Sequence, residues 1–478
     1  MRTLAALIGL CLLSALAAPG RVLVRWSQTE LPSPAMLGVR ELVISWTDNA
    51  ASNIQRARQA GFEVYIEVPL QQAAAAAQLA SKQAILGIII SRGNAAHSEV
   101  GSVIGNIKKS NSKLAILVLD SNGKQPLMRG QTITTRNGVL QVSSPTAQPW
   151  LDSNLALARF DREFNPSQPP LYSFTWDSGD RQQSAKRVSA EDYCLAVAEA
   201  SAIQSDLVLN LDDGLQTGLA QHQPTAWATW KKVKTCLSFG SRAPSSRKSW
   251  ANVGVVTSDY DTAYEPMNLL GRRNIPFRVL RPGTLNLREL QGLDVLAVFT
   301  APDLQDAEAI QQFARNGGTA VLVDVKGVFP WQSIAPTKTA EHAVSYAMGS
   351  GKIIELAEPI GDPETFAQDI RRLIPQSGVL ISAWNALTTL AIPYTHGQNG
   401  ETVIELLNYA EEPLRVQIRV KGLFSAIRYQ SPDSSRLQQL RPAHHHGFTE
   451  FIVPSLRIAG RVYLTGASQK TRGPQSSR

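Results

Sequence analysis

A chain of 478 residues, 43% of them hydrophobic, is too long for one ordinary core and points to about three domains. Its formal charge of +8 is spread thinly. Basic residues gather only around Arg242, Arg247 and Lys248 and in the C-terminal tail, not along one helix face. That argues against a nucleic-acid partner and leaves attraction to acidic surfaces at most.

Residues 1–18 have the form of an export signal. Arg2 gives the positive start, Leu4 to Leu13 a short apolar core, and Ala15-Leu16-Ala17 a small-residue cleavage site. The core is too short to span a bilayer, and no later run approaches the roughly 20 apolar residues a membrane helix needs. Cys11 follows Leu10 where a lipid-attachment box would want a small residue. The expectation is an exported protein, periplasmic or extracellular, with no membrane span.

From 19 to 240 the pattern is repeated strand then helix. Val22–Trp26, Glu41–Trp46, Glu63–Val68, Ala84–Ile90, Lys113–Asp120, Leu171–Asp177 and Asp206–Asp212 are short apolar runs ending in polar or aromatic residues. Such units build a parallel sheet, and a closed parallel barrel keeps its chemistry where the strands end. Asp48 or Asn49 can cap a helix through Ile54 and Ala57 that stops at Gly61, and the alanine-rich 71–81 is a second helix. Ser189 with Glu191 and Asp192 starts another, and Thr225–Leu237 is the last. Between Asp120 and Leu171, Arg136-Asn137-Gly138 joins two alternating runs as a hairpin. Its second arm is either a sixth barrel strand or part of an insertion, so the count is seven or eight strands. Cys194 and Cys236 fall on consecutive helices, as either a disulfide or two buried small residues.

Residues 241–250 have the composition of a linker. A second α/β pattern fills 251–376, with strands at Asn252–Val256, Phe277–Leu280, Val295–Phe299 and Thr319–Val323. Helices at Ala263–Arg273, Asp306–Arg315 and Pro363–Leu373 complete a flavodoxin-like domain. From 377 to 466 the period changes to two. Leu414–Val420 alternates cleanly, and the strands Thr402–Leu407, Ser425–Tyr429, Thr449–Val453 and Arg461–Leu464 make a small antiparallel β-sandwich. Residues 467–478 read as a tail. The fold class is therefore α/β: a TIM-barrel-like domain, a flavodoxin-like domain and a β-sandwich.

The strand ends supply the candidate site. Asp120 closes a strongly apolar strand beside a polar loop, where acid/base work is usually placed, or it caps the next turn. In Trp176-Asp177 an indole offers a stacking face for a sugar ring, and a carboxylate offers charge to a developing oxocarbenium ion. Asp177 could alternatively pair with Arg181. Glu67 is the reserve carboxylate. Trp26, Trp46, Asp48, Arg92 and Asp212 complete the expected carbohydrate-binding rim, Asp212 reading equally well as a helix cap. His444-His445-His446 is a solvated loop without ligand spacing, so no metal and no cofactor are expected. The middle domain has no cysteine for a thiol nucleophile, and its expected role is scaffolding or contact between copies of the chain.

Barrel, flavodoxin-like domain and small β-sandwich, in that order, resemble the β-galactosidase family whose middle domain mediates trimerisation. The resemblance implies glycosidic cleavage by two carboxylates. The family's acid/base Glu follows Asn after the fourth strand, whereas here that strand ends Ile90-Ser91-Arg92 and the chain has no Asn-Glu dipeptide. At the family's nucleophile position this chain has Asp177 in place of Glu.

Overall fold

The computed structural model describes residues 20–466 except 84, 94, 96, 120–122, 125–132, 137–138, 143–152, 177–187, 245–246 and 397–400. Asp120, Asp177 and the stretches read as an export signal (1–18) and a tail (467–478) lie outside the described residues.

Seven parallel strands form the first sheet. Their order across it is Ala115–Leu119, Gly87–Ser91, Glu63–Pro69, Glu41–Ser45, Val22–Arg25, Asp206–Asn210 and Leu171–Ser173. The two edge strands approach each other with Cα atoms within 8 Å, so the sheet curls into a nearly closed barrel. Among the described residues the hairpin strands Ile133–Arg136 and Val139–Val142 pair only with each other, and the second arm does not join the barrel sheet.

Period-two alternation sorts the side chains. Val24, Leu42, Ile44, Val64, Ile66, Ile88 and Ile90 face the helices, while Leu23, Val43, Tyr65, Ile89, Leu171 and Val208 plug the lumen. Gly87 is where the plug needs a missing side chain: a Cβ there would stand 2.8 Å from the Tyr65 ring and 2.5 Å from the Ala115 carbonyl. The helix Ala50–Gln59 buries Ala50, Ile54 and Ala57, but its cap position Asn49 makes no side-chain capping bond. Ser189 and Asp192 form a reciprocal capping box at the helix Ala190–Ala202. Cys194 and Cys236 are buried, free thiols.

The second α/β sheet carries five parallel strands in the order Phe277–Leu280, Val253–Val256, Val295–Val298, Thr319–Val323, Gly351–Leu356. Ala343–Met348 and Lys338–Ala340 extend it in antiparallel fashion. The C-terminal region is two antiparallel sheets of six and four strands, with Val416, Ile418, Val420, Ile427, Val453 and Val462 buried in the core between them.

The stretch read as a linker is partly structural. Arg247–Ser249 is an edge strand pairing antiparallel with Thr389–His396. Arg247, counted above among the basic residues of that stretch, is buried, and its guanidinium bonds the Glu405 carboxylate, which also accepts from Arg461 Nε at 2.6 Å. Composition misled because serine and arginine are common in linkers, whereas this arginine finds a buried carboxylate across the sheet.

Candidate functional site at the barrel mouth

The lumen above the apolar plug is polar, and its hub is Arg25, the last residue of the first strand. Arg25 shares the inward parity of Leu23 and so projects over the plug. Its Nε and Nη2 donate to Glu67 Oε2 at 2.8 and 2.5 Å, Nη2 also reaches Ser173 Oγ at 3.3 Å, and Nη1 donates to Asn210 Oδ1. Ser91 Oγ donates to Glu67 Oε1 at 3.3 Å. Five strand ends thus meet in one network. The pair is part-open, with side-chain exposures of 23% for Arg25 and 15% for Glu67. Glu67 is therefore a charge-paired carboxylate at the mouth, with two guanidinium nitrogens on its Oε2 and a serine hydroxyl on its Oε1.

The flanking residues are held as firmly. Trp176 Nε1 donates to the Asn210 carbonyl at 2.8 Å, and its ring meets Phe174 and Tyr193 edge-on. Asp212 caps the helix Asp213–Ala220 through Leu215 N at 3.0 Å and accepts from the Tyr193 hydroxyl. Burial and that carboxylate together push the Tyr193 phenol up.

Several expected ligand contacts are corrected. Trp26 is no sugar platform: it is 2% exposed, belongs to the core outside the lumen, and donates Nε1 to the Glu30 carbonyl at 3.1 Å. As the residue after Arg25 it has the opposite parity and turns toward the helices. Asp212 acts as a cap, the structural alternative. Arg92 turns back on its own loop, donating to the Ala95 carbonyl at 3.0 Å. Trp46 is half-buried against the same core and Asp48 is exposed. Asp120 and Asp177 lie outside the described residues.

The residues missed by sequence reading are Arg25, Ser91, Ser173 and Asn210. Parity carried a signal for them. Each sits an even number of positions from an inward apolar residue of its own strand, so each must point into the lumen.

Beside this network a cleft of about 380 Å3 opens among Ser27, Thr29, Ser45, Thr47, Asn53 and Arg56. Its lining is mainly hydroxyl and amide, suited to polyhydroxylated ligands. Among the described residues, no group of three His, Cys, Asp or Glu side chains could hold a metal ion. No helix among them is long and apolar enough to cross a membrane.

No family model matches the chain, and no curated protein does. Among solved structures it is similar to α-L-fucosidase isoenzyme 2 from Paenibacillus thiaminolyticus, with a TM-score of 0.56 and 10% identity over 94% of this chain and 100% of that one. It is also similar to a β-galactosidase from Rahnella sp. R3, with a TM-score of 0.52 and 11% identity over 88% of this chain and 95% of that one. At such identities the likeness is one of fold, and the fold is glycoside-hydrolase-like.

Proposed function

We propose that this chain binds a carbohydrate at the carboxyl-terminal mouth of its barrel, as an exported glycoside-hydrolase-like protein. The observation that carries the reading is the part-open Arg25–Glu67–Asn210 network beside a cleft of hydroxyl and amide groups, at the barrel end where this architecture keeps its chemistry. Arg25 keeps an Nη1 N–H for a sugar hydroxyl, Asn210 holds that guanidinium in place while its own amide bonds the Phe174 carbonyl and Ser173 Oγ, and Trp46 offers an apolar face at the rim.

Hydrolysis is the finer reading. Glu67 is neutralised by Arg25, so cleavage requires Asp120 and Asp177 as the carboxylate pair, one protonating the leaving oxygen and the other supporting the oxocarbenium ion. If that pair does not serve, the chain is a carbohydrate-binding protein on a hydrolase-like scaffold, which the locked state of Glu67 favours. Self-association through the second α/β region belongs to the same proposal.

A glycan-array screen of the mature chain, followed by hydrolysis assays on each hit, tests both levels. Binding that falls at least tenfold in Arg25→Gln supports the mouth as the site, since a lost charge-assisted contact is worth about 1.5–3 kcal/mol. Turnover abolished by Asp177→Asn and by Asp120→Asn with unchanged melting supports the pair. A glycan bound equally by Arg25→Gln overturns the site, and full turnover in either aspartate variant overturns the mechanism. N-terminal sequencing of secreted protein tests export, and cleavage near Ala17 is expected.

A further inference from the structure

A second cleft, of about 500 Å3, lies between the second α/β region and the sandwich and shares no lining residue with the mouth. Arg273, Arg371, Arg372 and Trp384 line it, with Ser382 on its sandwich side. Two of its arginines are neutralised: Arg273 by Glu364, and Arg372 by Asp369 at 2.6 Å. Arg371 is different. Its Nη2 donates to Ser382 Oγ at 2.9 Å, and Ser382 stands opposite Arg419 in the antiparallel pair Ile381–Trp384 with Leu414–Lys421. The Arg419 guanidinium lies over the rings of Trp384 and Phe448, 5.7 and 4.7 Å from their centroids, and its buried Nε has no hydrogen-bond partner. Among the described residues neither Arg371 nor Arg419 has a carboxylate partner.

The end of the helix Pro363–Leu373 favours a cation, which accounts for an arginine at 371 but not for its facing a second one. Burial lowers the Arg371 pKa and the Arg419 charge lowers it further, so the two cations repel across Ser382. An anion between them would relieve that repulsion. Trp384 is 42% exposed beside them, a large indole left at the rim of a cleft.

We propose that this seam is a binding site for an acidic saccharide, in which Arg371 and Arg419 take a carboxylate or sulfate ester and Trp384 packs against the sugar ring. Guanidinium forks match both anions, an indole suits the apolar face of a pyranose, and the cleft's size is that of ordinary small-ligand sites. The choice of a sugar over another anion rests on the carbohydrate reading of the fold.

Isothermal titration of the full mature chain with trigalacturonate, a sulfated disaccharide, maltotriose and inorganic sulfate tests it. Expected is binding of one or both acidic sugars, tighter than maltotriose and tighter than sulfate alone. Arg371→Gln should weaken it roughly tenfold or more, as loss of a charge-assisted contact does, and Trp384→Ala should weaken it severalfold. Arg415→Gln, on the same sandwich but outside the cleft, should leave it unchanged, as should Arg25→Gln at the barrel mouth. Equal binding by Arg371→Gln, equal loss in Arg415→Gln, or sulfate binding as tightly as the sugars would each overturn the proposal. Loss in Arg25→Gln would move the acidic sugar to the mouth and sink the seam, while a mouth without affinity leaves the seam's signal intact.

Discussion

The two ends of the barrel lumen carry the same chemistry with different consequences. At the amino-terminal end Arg21 donates its backbone N–H to Asp206 Oδ1 at 2.7 Å, and Nε and Nη2 to Oδ2 at 2.9 and 2.7 Å. Nη1 reaches the Tyr65 hydroxyl at 3.1 Å, and Glu41 stands 3.7 Å away, its carboxyl pushed up by burial. Asp206 is 1% exposed. At the mouth, Arg25 and Glu67 make a comparable pair, but with serine and asparagine neighbours and a more open acid, 15% exposed at its side chain against 2% for Asp206. The first pair fastens strand to strand through a buried carboxylate, while the second draws side chains of five strands around a part-open one. Position along the strand, not residue type, separates a structural ion pair from a candidate site.

Four carboxylates sharpen the contrast. The largest effect is expected for Asp206→Ala, which leaves the Arg21 fork without its partner and should cost about 3–5 kcal/mol, as breaking a buried pair does. Urea unfolding measures it, and a loss as small as at the mouth would erase the distinction between the ends.

Next is Glu199, a fully buried carboxylate with no arginine. It accepts from Asn154 Nδ2 at 2.5 Å, from the Tyr172 hydroxyl at 3.4 Å and from the Tyr409 hydroxyl, joining the barrel to the sandwich. Burial dominates these donors and pushes its pKa up to about 7. A raised folded pKa means the folded state holds the proton more tightly. The contribution is therefore fully present below pH ~4.5, the ordinary glutamate value, and is lost as pH rises to about 7, by roughly 3 kcal/mol in all. Stability measured from pH 4 to 8 should show that fall, and Glu199→Gln should flatten it. A variant with the wild-type slope would show that another group titrates.

Glu67→Gln should cost only about 1 kcal/mol, because the pair is part-open and the amide keeps one acceptor for Arg25. The same variant should lose more in glycan affinity than in stability, the reverse of Asp206→Ala. Equal losses in both assays would make the mouth pair purely structural. Smallest of all, Asp48→Asn on the exposed rim should change stability by less than about 0.5 kcal/mol, as measured by the same unfolding curves.

Much of the fold was legible because periodicity is local. Alternation along Leu414–Val420 marked a half-buried strand, and apolar runs followed by capped helices marked a parallel sheet. The capping box at Ser189 needs only four consecutive residues to form. The site was less legible. Trp26 looked like a platform because it ends a strand, yet one step of parity turns it into the core. Arg25, one residue earlier, was passed over although it is the hub.

The sequence by itself determined the succession of elements, the change of period near 377 and which side chains share a face, since these follow from backbone geometry over a few residues. Only the tertiary structure decided which charges meet. Arg25 lies 42 positions from Glu67, Arg21 lies 185 from Asp206 and Arg247 lies 158 from Glu405. Whether a carboxylate is free, neutralised or buried depends on partners that only chain closure brings within hydrogen-bonding distance.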